Sequence, residues 1–230
     1  MRRFRFRYSF HNLLVWLLLY MIVSPFLYRV PGAKIIFSLF ISLVLFFAVY
    51  AMERREPLFK AAVLLLGASL ILLWFDVLNI VSLPRMANTL AVMAYTGILI
   101  YSFSKHVFRA RAVDGRLICA ALCLYLFLGI FWGYLYEVLY SFDPTSFSGR
   151  ILSSNSSDMF ACRQHFQYFS FVTLTTLGYG DVVPRQAGPA ALCVAEAIMG
   201  QFFMAVLVAR LVGIQVSQQF AEGEKEKRGL

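Results

Sequence analysis

The chain has 230 residues, of which 60% are hydrophobic, 17% aromatic and only 14% charged. A soluble domain carries about a quarter charged residues, so this composition excludes an ordinary soluble globule and describes a membrane protein. The net charge of +9 sits in short clusters between apolar runs, a distribution that fits anionic lipid headgroups and argues against nucleic acid as a partner.

In chain order, the basic lead MRRFRFR is followed by an uncharged run from Tyr8 to Tyr28. That run is long and no convincing small-residue cleavage site follows, so it reads as a retained anchor and not as a signal peptide. The second run, Ile35 to Met52, is uncharged between Lys34 and Glu53; the third, Leu58 to Leu78, carries Lys60 and Asp76 near its ends. Met86 to Ser104 and Leu117 to Tyr136 are the fourth and fifth, and the sixth runs from near Ala187 to about Ser217. Each approaches the ~20 residues that cross a bilayer as a helix. The sixth exceeds that length, so its end should project from the membrane. Six transmembrane helices are therefore expected in an all-α membrane protein.

Orientation follows from Lys and Arg. With both termini cytoplasmic, the inner segments hold fifteen of the 21 basic residues and the outer segments six, Arg163 among them. An even number of spans with that bias satisfies the positive-inside rule. The longest connection joins spans five and six. Its first part, SFDPTSFSGRILSSNSSD, is polar and turn-rich and includes the sequon Asn155-Ser156-Ser157, read as a chance occurrence. Its second part, MFACRQHFQYFSFVTLTT, is apolar and aromatic but too short to cross and return, which suits a re-entrant half-helix. Cys119, Cys123 and Cys193 read as small buried hydrophobes, and Cys162, His11, His106 and His165 are scattered without disulfide or metal-ligand spacing.

Between that half-helix and the sixth span stands TLTTLGYGDVVP, Thr173 to Pro184. Non-helical backbone at membrane depth survives only where protein buries it or where it lines an aqueous path. Thr176-Leu177-Gly178-Tyr179-Gly180, with Thr173 before it and Asp181 and Pro184 after it, closely resembles the selectivity-filter signature of potassium channels. Successive carbonyls can face one axis only if the backbone alternates through conformations that ordinary residues resist, and Gly178 and Gly180 reach positive φ without a Cβ clash. The resemblance implies that the carbonyls of Thr176, Leu177, Gly178 and Tyr179 coordinate K+, with the Thr176 hydroxyl completing the innermost site. Leu177 replaces the commoner valine, a mild change because its carbonyl is the ligand. Thr175 and Asp181 flank this loop as support.

The resemblance further implies a pore helix over Arg163 to Thr175, whose C-terminal dipole end favours a cation. Tyr168 and Phe169 hold the two positions at which many family members place bracing tryptophans. Tyr168 offers a hydroxyl to Asp181, whereas Phe169 has no donor for Tyr179. Gly200 matches the glycine at which the family's inner helices bend, with close helix packing as the equal alternative. Gln201, Met204 and Val208 would then line the cavity. Glu196, one turn before Gly200, is an acid in an apolar stretch and should face a partner, Thr175 or a neighbouring hydroxyl first and Gln201 second. It is either a neutral acid tying two helices together or a charge that tunes cation occupancy and couples the filter to pH.

This pattern divides the chain into a four-helix domain, 1–116, a pore domain, 117–217, and a short charged solvated tail, 218–230. The resemblance is specific for 117–217; over 1–116 it rests on topology alone. There it is to a voltage-sensor domain without gating arginines, since MANTLAVMAYTGILIYSFS contains none. The implied activity is passive potassium conduction by a homotetramer in a bacterial inner (plasma) membrane, surrounded by lipid, with no cofactor and no enzymatic step. A filter-bearing subunit of a potassium transport or regulatory assembly, not conducting alone, is the alternative.

Overall fold

A computed structural model describes residues 9–27, 33–52, 58–78, 85–110, 112–149 and 159–227. The basic lead at 1–7, the sequon and the last three residues lie outside them. Seven α-helices account for most of the described residues: α1 Ser9–Leu27, α2 Ala33–Ala51, α3 Phe59–Val77, α4 Arg85–Arg109, α5 Gly115–Phe142, α6 Met159–Leu174 and α7 Ala187–Lys227. One short antiparallel ribbon departs from the all-helical expectation. Strand β1, Phe147–Gly149, pairs with β2, Val182–Pro184, with Phe147 opposite Pro184. These two segments flank α6 and the TLGYG loop in sequence, so their pairing closes that insert at its base.

Among the described residues, three helical stretches, Met86–Arg109, Gly115–Phe142 and Ala187–Phe220, are long and apolar enough to cross a membrane. Helix α5 starts where Asp114 accepts a hydrogen bond from the Leu117 amide at 2.9 Å, a side-chain N-cap that satisfies one otherwise orphaned donor. It then occupies the centre of the fold, packed on α1, α4, α6 and α7. Helices α1 to α4 pack through Leu13, Leu17, Ala48, Ala62 and Leu99, all fully buried. The Tyr95 hydroxyl donates to the Leu45 carbonyl at 2.5 Å and so ties α4 to α2. A buried phenol needs such a partner, because an unmade hydrogen bond in an apolar core costs about 1–3 kcal/mol.

A second apolar cluster surrounds α6. Trp132 and Tyr136 of α5, Phe147 of β1, Phe166 and Phe169 of α6 and Val182 of β2 are all buried there. Tyr136 meets Phe169 edge-on at 5.2 Å, and Phe147 meets Phe166 likewise at 5.2 Å. Edge-to-face pairs of this kind favour one mutual orientation over sliding.

Residues 218–227 continue helix α7 beyond the expected last span. At 1.5 Å per residue its 41 residues extend about 60 Å, roughly twice the hydrocarbon thickness of a bilayer.

Candidate functional site

The site is built on the C-terminal end of α6. Helix hydrogen bonding continues past Leu174 as tightening turns: the Thr175 amide donates to Phe171 O at 3.0 Å and the Thr176 amide to Thr173 O at 2.9 Å. The amides of Leu177 and Gly178 both donate to Val172 O, at 2.9 and 3.3 Å. These bonds bend the chain back over the end of α6. From there every second residue has positive φ: Thr176 at 58°, Gly178 at 61° and Gly180 at 74°. The glycines adopt it freely. Thr176 is a β-branched residue for which this region is a genuine outlier, a state that costs on the order of 1–3 kcal/mol and persists only where surroundings enforce it. Sequence reasoning expected the two glycines and missed Thr176.

One enforcing contact comes from α7. Gln201 Nε2 donates to Thr176 Oγ1 at 3.0 Å, so Gln201 holds the first residue of the loop. Residues 175–180 are all exposed in the single chain, Leu177 at 55% and Tyr179 at 66%. Met204 and Val208 of α7 are also exposed. Beyond the loop, Asp181 accepts from the following Val182 amide at 3.1 Å. Tyr168 is exposed, and its hydroxyl faces the Asp181 carboxylate. Phe169 turns the other way, into the aromatic cluster with Tyr136 and Phe147.

Close approach positions α6. A Cβ on Gly133 of α5 would stand 2.7 Å from Gln167 Nε2, and one on Gly129 would collide with the Phe171 ring. Gln167 donates to the Ile130 carbonyl at 3.1 Å across the same seam. From the other side, a Cβ on Gly200 would run into the Leu174 carbonyl. Gly200 therefore serves close packing, and α7 passes through it as one continuous helix. The signal for the α5 seam was present in the sequence as Gly129-x-x-x-Gly133, a spacing that places two small residues on one helix face.

Glu196 is fully buried. Of the partners expected for it, it meets a neighbouring hydroxyl and neither Thr175 nor Gln201. Thr175 donates to the Phe171 carbonyl at 2.6 Å and Gln201 is engaged with Thr176. Glu196 Oε2 instead receives the Tyr136 hydroxyl at 2.6 Å, and Oε1 lies 2.5 Å from Ser170 Oγ. The Ser170 hydroxyl is also 2.7 Å from the Gly129 carbonyl. The hydroxyl is a neighbouring one, as anticipated, but one turn earlier on α6, and α5 contributes a second.

A buried ion pair escaped sequence reasoning. Arg163 of α6, expected among the outer basic residues, donates to Glu137 of α5 three times: Nε to Oε2 at 3.0 Å and to Oε1 at 3.2 Å, and Nη2 to Oε1 at 3.0 Å. Their side chains are 13% and 1% exposed. Arg163 Nη2 also donates to Thr89 Oγ1 of α4 at 3.2 Å, its guanidinium lies over Tyr134, and buried Tyr20 of α1 is near the pair. Glu137 stood one residue beyond the expected fifth span, which is why it was not counted as an intramembrane acid.

At the C-terminal end of α5, Asp143 Oδ1 accepts from the Thr145 amide and hydroxyl at 2.8 and 2.7 Å, and Oδ2 accepts from Gln186 at 2.5 Å. The Thr145 hydroxyl first, and Gln186 second, hold its carboxyl below the usual aspartate range. This contact joins the end of α5 to the start of α7.

Residues 158–216 match a family model described as ion channel. No curated protein and no solved structure matched. The matched span contains α6, the TLGYG loop, β2 and most of α7, the elements whose geometry is given above. It supports an ion-channel function, and together with the apolar helices it points to an integral membrane protein.

Proposed function

We propose that this chain is the subunit of a potassium-selective channel in which four copies surround one axis. Six spans, both termini on the inner side, and passive conduction without steep voltage gating belong to the same reading. In it, α6 is a re-entrant pore helix and α7 the inner helix. Thr176, Leu177, Gly178 and Tyr179 supply rings of carbonyls that replace the hydration shell of K+.

The alternation of positive φ at Thr176, Gly178 and Gly180 carries this reading. Positive φ at every second residue reverses each peptide relative to its neighbour's ordinary course, which lets successive carbonyls share one side. A single chain provides only a quarter of each ring. The exposure of the whole loop, and of Ile198, Phe202 and Val208 along α7, fits burial against further copies. An exposed apolar strip of this size needs a protein or lipid cover.

Purified protein in liposomes tests the proposal. Potassium flux exceeding sodium flux by about a hundredfold or more, from a particle with the mass of four chains, is the expected result; a hundredfold ratio corresponds to about 2.7 kcal/mol of discrimination. Gly178→Ala should abolish selectivity or conduction while the protein still inserts, because a Cβ disfavours φ near 61°. Equal sodium and potassium flux refutes selectivity. Absence of flux from a well-assembled protein favours the non-conducting subunit.

A further inference from the structure

Three short oxygen–oxygen contacts meet around Glu196, and their protons can be counted. Tyr136 Oη lies 2.6 Å from Glu196 Oε2. Ser170 Oγ lies 2.5 Å from Glu196 Oε1 and 2.7 Å from the Gly129 carbonyl. Contacts of this length are hydrogen bonds, and each needs a proton between its two oxygens. Tyr136 supplies one and Ser170 one, while the carbonyl has none to give.

If Glu196 were ionised, two protons would have to serve three contacts. One pair of buried oxygens would then face each other lone pair to lone pair. A third proton, on Glu196 Oε1, fills every contact: Tyr136 donates to Oε2, the acid donates to Ser170, and Ser170 donates to Gly129. We infer that Glu196 is a neutral carboxylic acid whose proton completes a hydrogen-bond chain from α7 through α6 to α5, and that it is a positioning residue for the TLGYG loop.

The surroundings agree with a neutral group. The titratable side chains facing it are Tyr136 and Tyr125 of α5 and Cys193 of its own helix. From α6 it meets the Ser170 hydroxyl, and no basic side chain among the described residues acts on it. Arg163, the buried cation of α6, is already matched by Glu137. Burying a carboxylate without a cation costs several kcal/mol, which protonation removes.

The location explains why this proton matters. Ser170 stands one turn before Leu174 on α6, and Glu196 one turn before Gly200 on α7. Glu196 thus holds α6 at Ser170 while Gly200 abuts the Leu174 carbonyl. The residue after Gly200 on α7, Gln201, donates to Thr176. Loss of the proton breaks one bond in the chain and introduces an unpaired charge directly behind the end of α6.

The positioning role rests on the channel reading; the protonation state does not. Infrared difference spectra of wild type against Glu196→Gln, in lipid at neutral pH, should show a protonated-acid carbonyl band that the variant lacks. A carboxylate band in its place overturns the inference. Glutamine keeps the pattern, since its amide donates to Ser170 and its carbonyl accepts from Tyr136, so its potassium flux should stay within about twofold of wild type. Raising the pH until the acid band disappears should lower wild-type flux by roughly fivefold to tenfold, the range expected for one lost hydrogen bond, and leave Glu196→Gln unchanged. Flux that stays level while the band disappears removes the positioning role. Wild type that shows the band but never conducts defeats the channel reading alone.

Discussion

Thr176 shows how a single residue can be held in a conformation it resists. Its positive φ follows from the turn that folds the Leu177 and Gly178 amides back onto Val172, and Gln201 supplies a donor from a different helix. A glycine there would be less strained but would offer no hydroxyl. Asp143 illustrates the opposite case, a residue whose environment favours its charged form through hydrogen bonds from Thr145 and Gln186. With a folded pKa below the unfolded value, its contribution is present above about pH 4, the ordinary aspartate range, and is lost as pH falls through the folded value. The tie between the loop after α5 and the start of α7 should therefore persist through neutral and mildly acid conditions. Carboxyl chemical shifts measured by NMR against pH should place the Asp143 midpoint below that of an unstructured aspartate. A midpoint at or above the ordinary value would mean that these bonds do not favour the carboxylate.

At the scale of elements, α6 is held by α5, α7 and α4 through different chemistries. Glycines at 129 and 133 let α6 approach α5 closely, Gly200 admits the Leu174 carbonyl against α7, and Arg163 joins Glu137 and Thr89. The ion pair is the element most sensitive to removal of one partner, because the other charge remains buried. Arg163→Gln should destabilise the protein by about 3–5 kcal/mol, whereas Glu137→Gln with Arg163→Gln should recover most of that loss. Unfolding in detergent, followed by tryptophan fluorescence since Trp132 lies in the adjacent cluster, measures both. A double variant no more stable than Arg163→Gln would show that the two side chains do not act as a pair. Thr89 of α4 accepts from the same guanidinium, so α4, α5 and α6 meet at one buried group.

For the whole molecule, the distribution of charge decides what the membrane potential can move. The described part of α4 has its basic residues at the ends, with Lys105 and Arg109 in the last turns and none between Met86 and Ser104. A charge carried fully across the field contributes about 2.3 kcal/mol per 100 mV. Without such charges, conductance should change only weakly with voltage. Planar-bilayer recordings across about 200 mV test this, and a curve steep enough to require several charges per subunit would contradict it.

Much of this was legible in the sequence because it depends on local composition. Apolar runs set where helices form, since a helix satisfies its own backbone in lipid, and TLGYG set where regular helix must end. Gly178 and Gly180 announced their positive φ because only glycine adopts it without cost. What required the tertiary structure depends on approach between distant segments. The pairing of Arg163 with Glu137, the ribbon that joins Phe147 to Pro184, and the exchange by which Gln201 serves Thr176 while Ser170 and Tyr136 serve Glu196 span separations of 25 residues or more. No period or motif encodes such partners; they are selected by which faces of α5, α6 and α7 pack together, and that packing is set by the volume of glycines and aromatic rings in three dimensions.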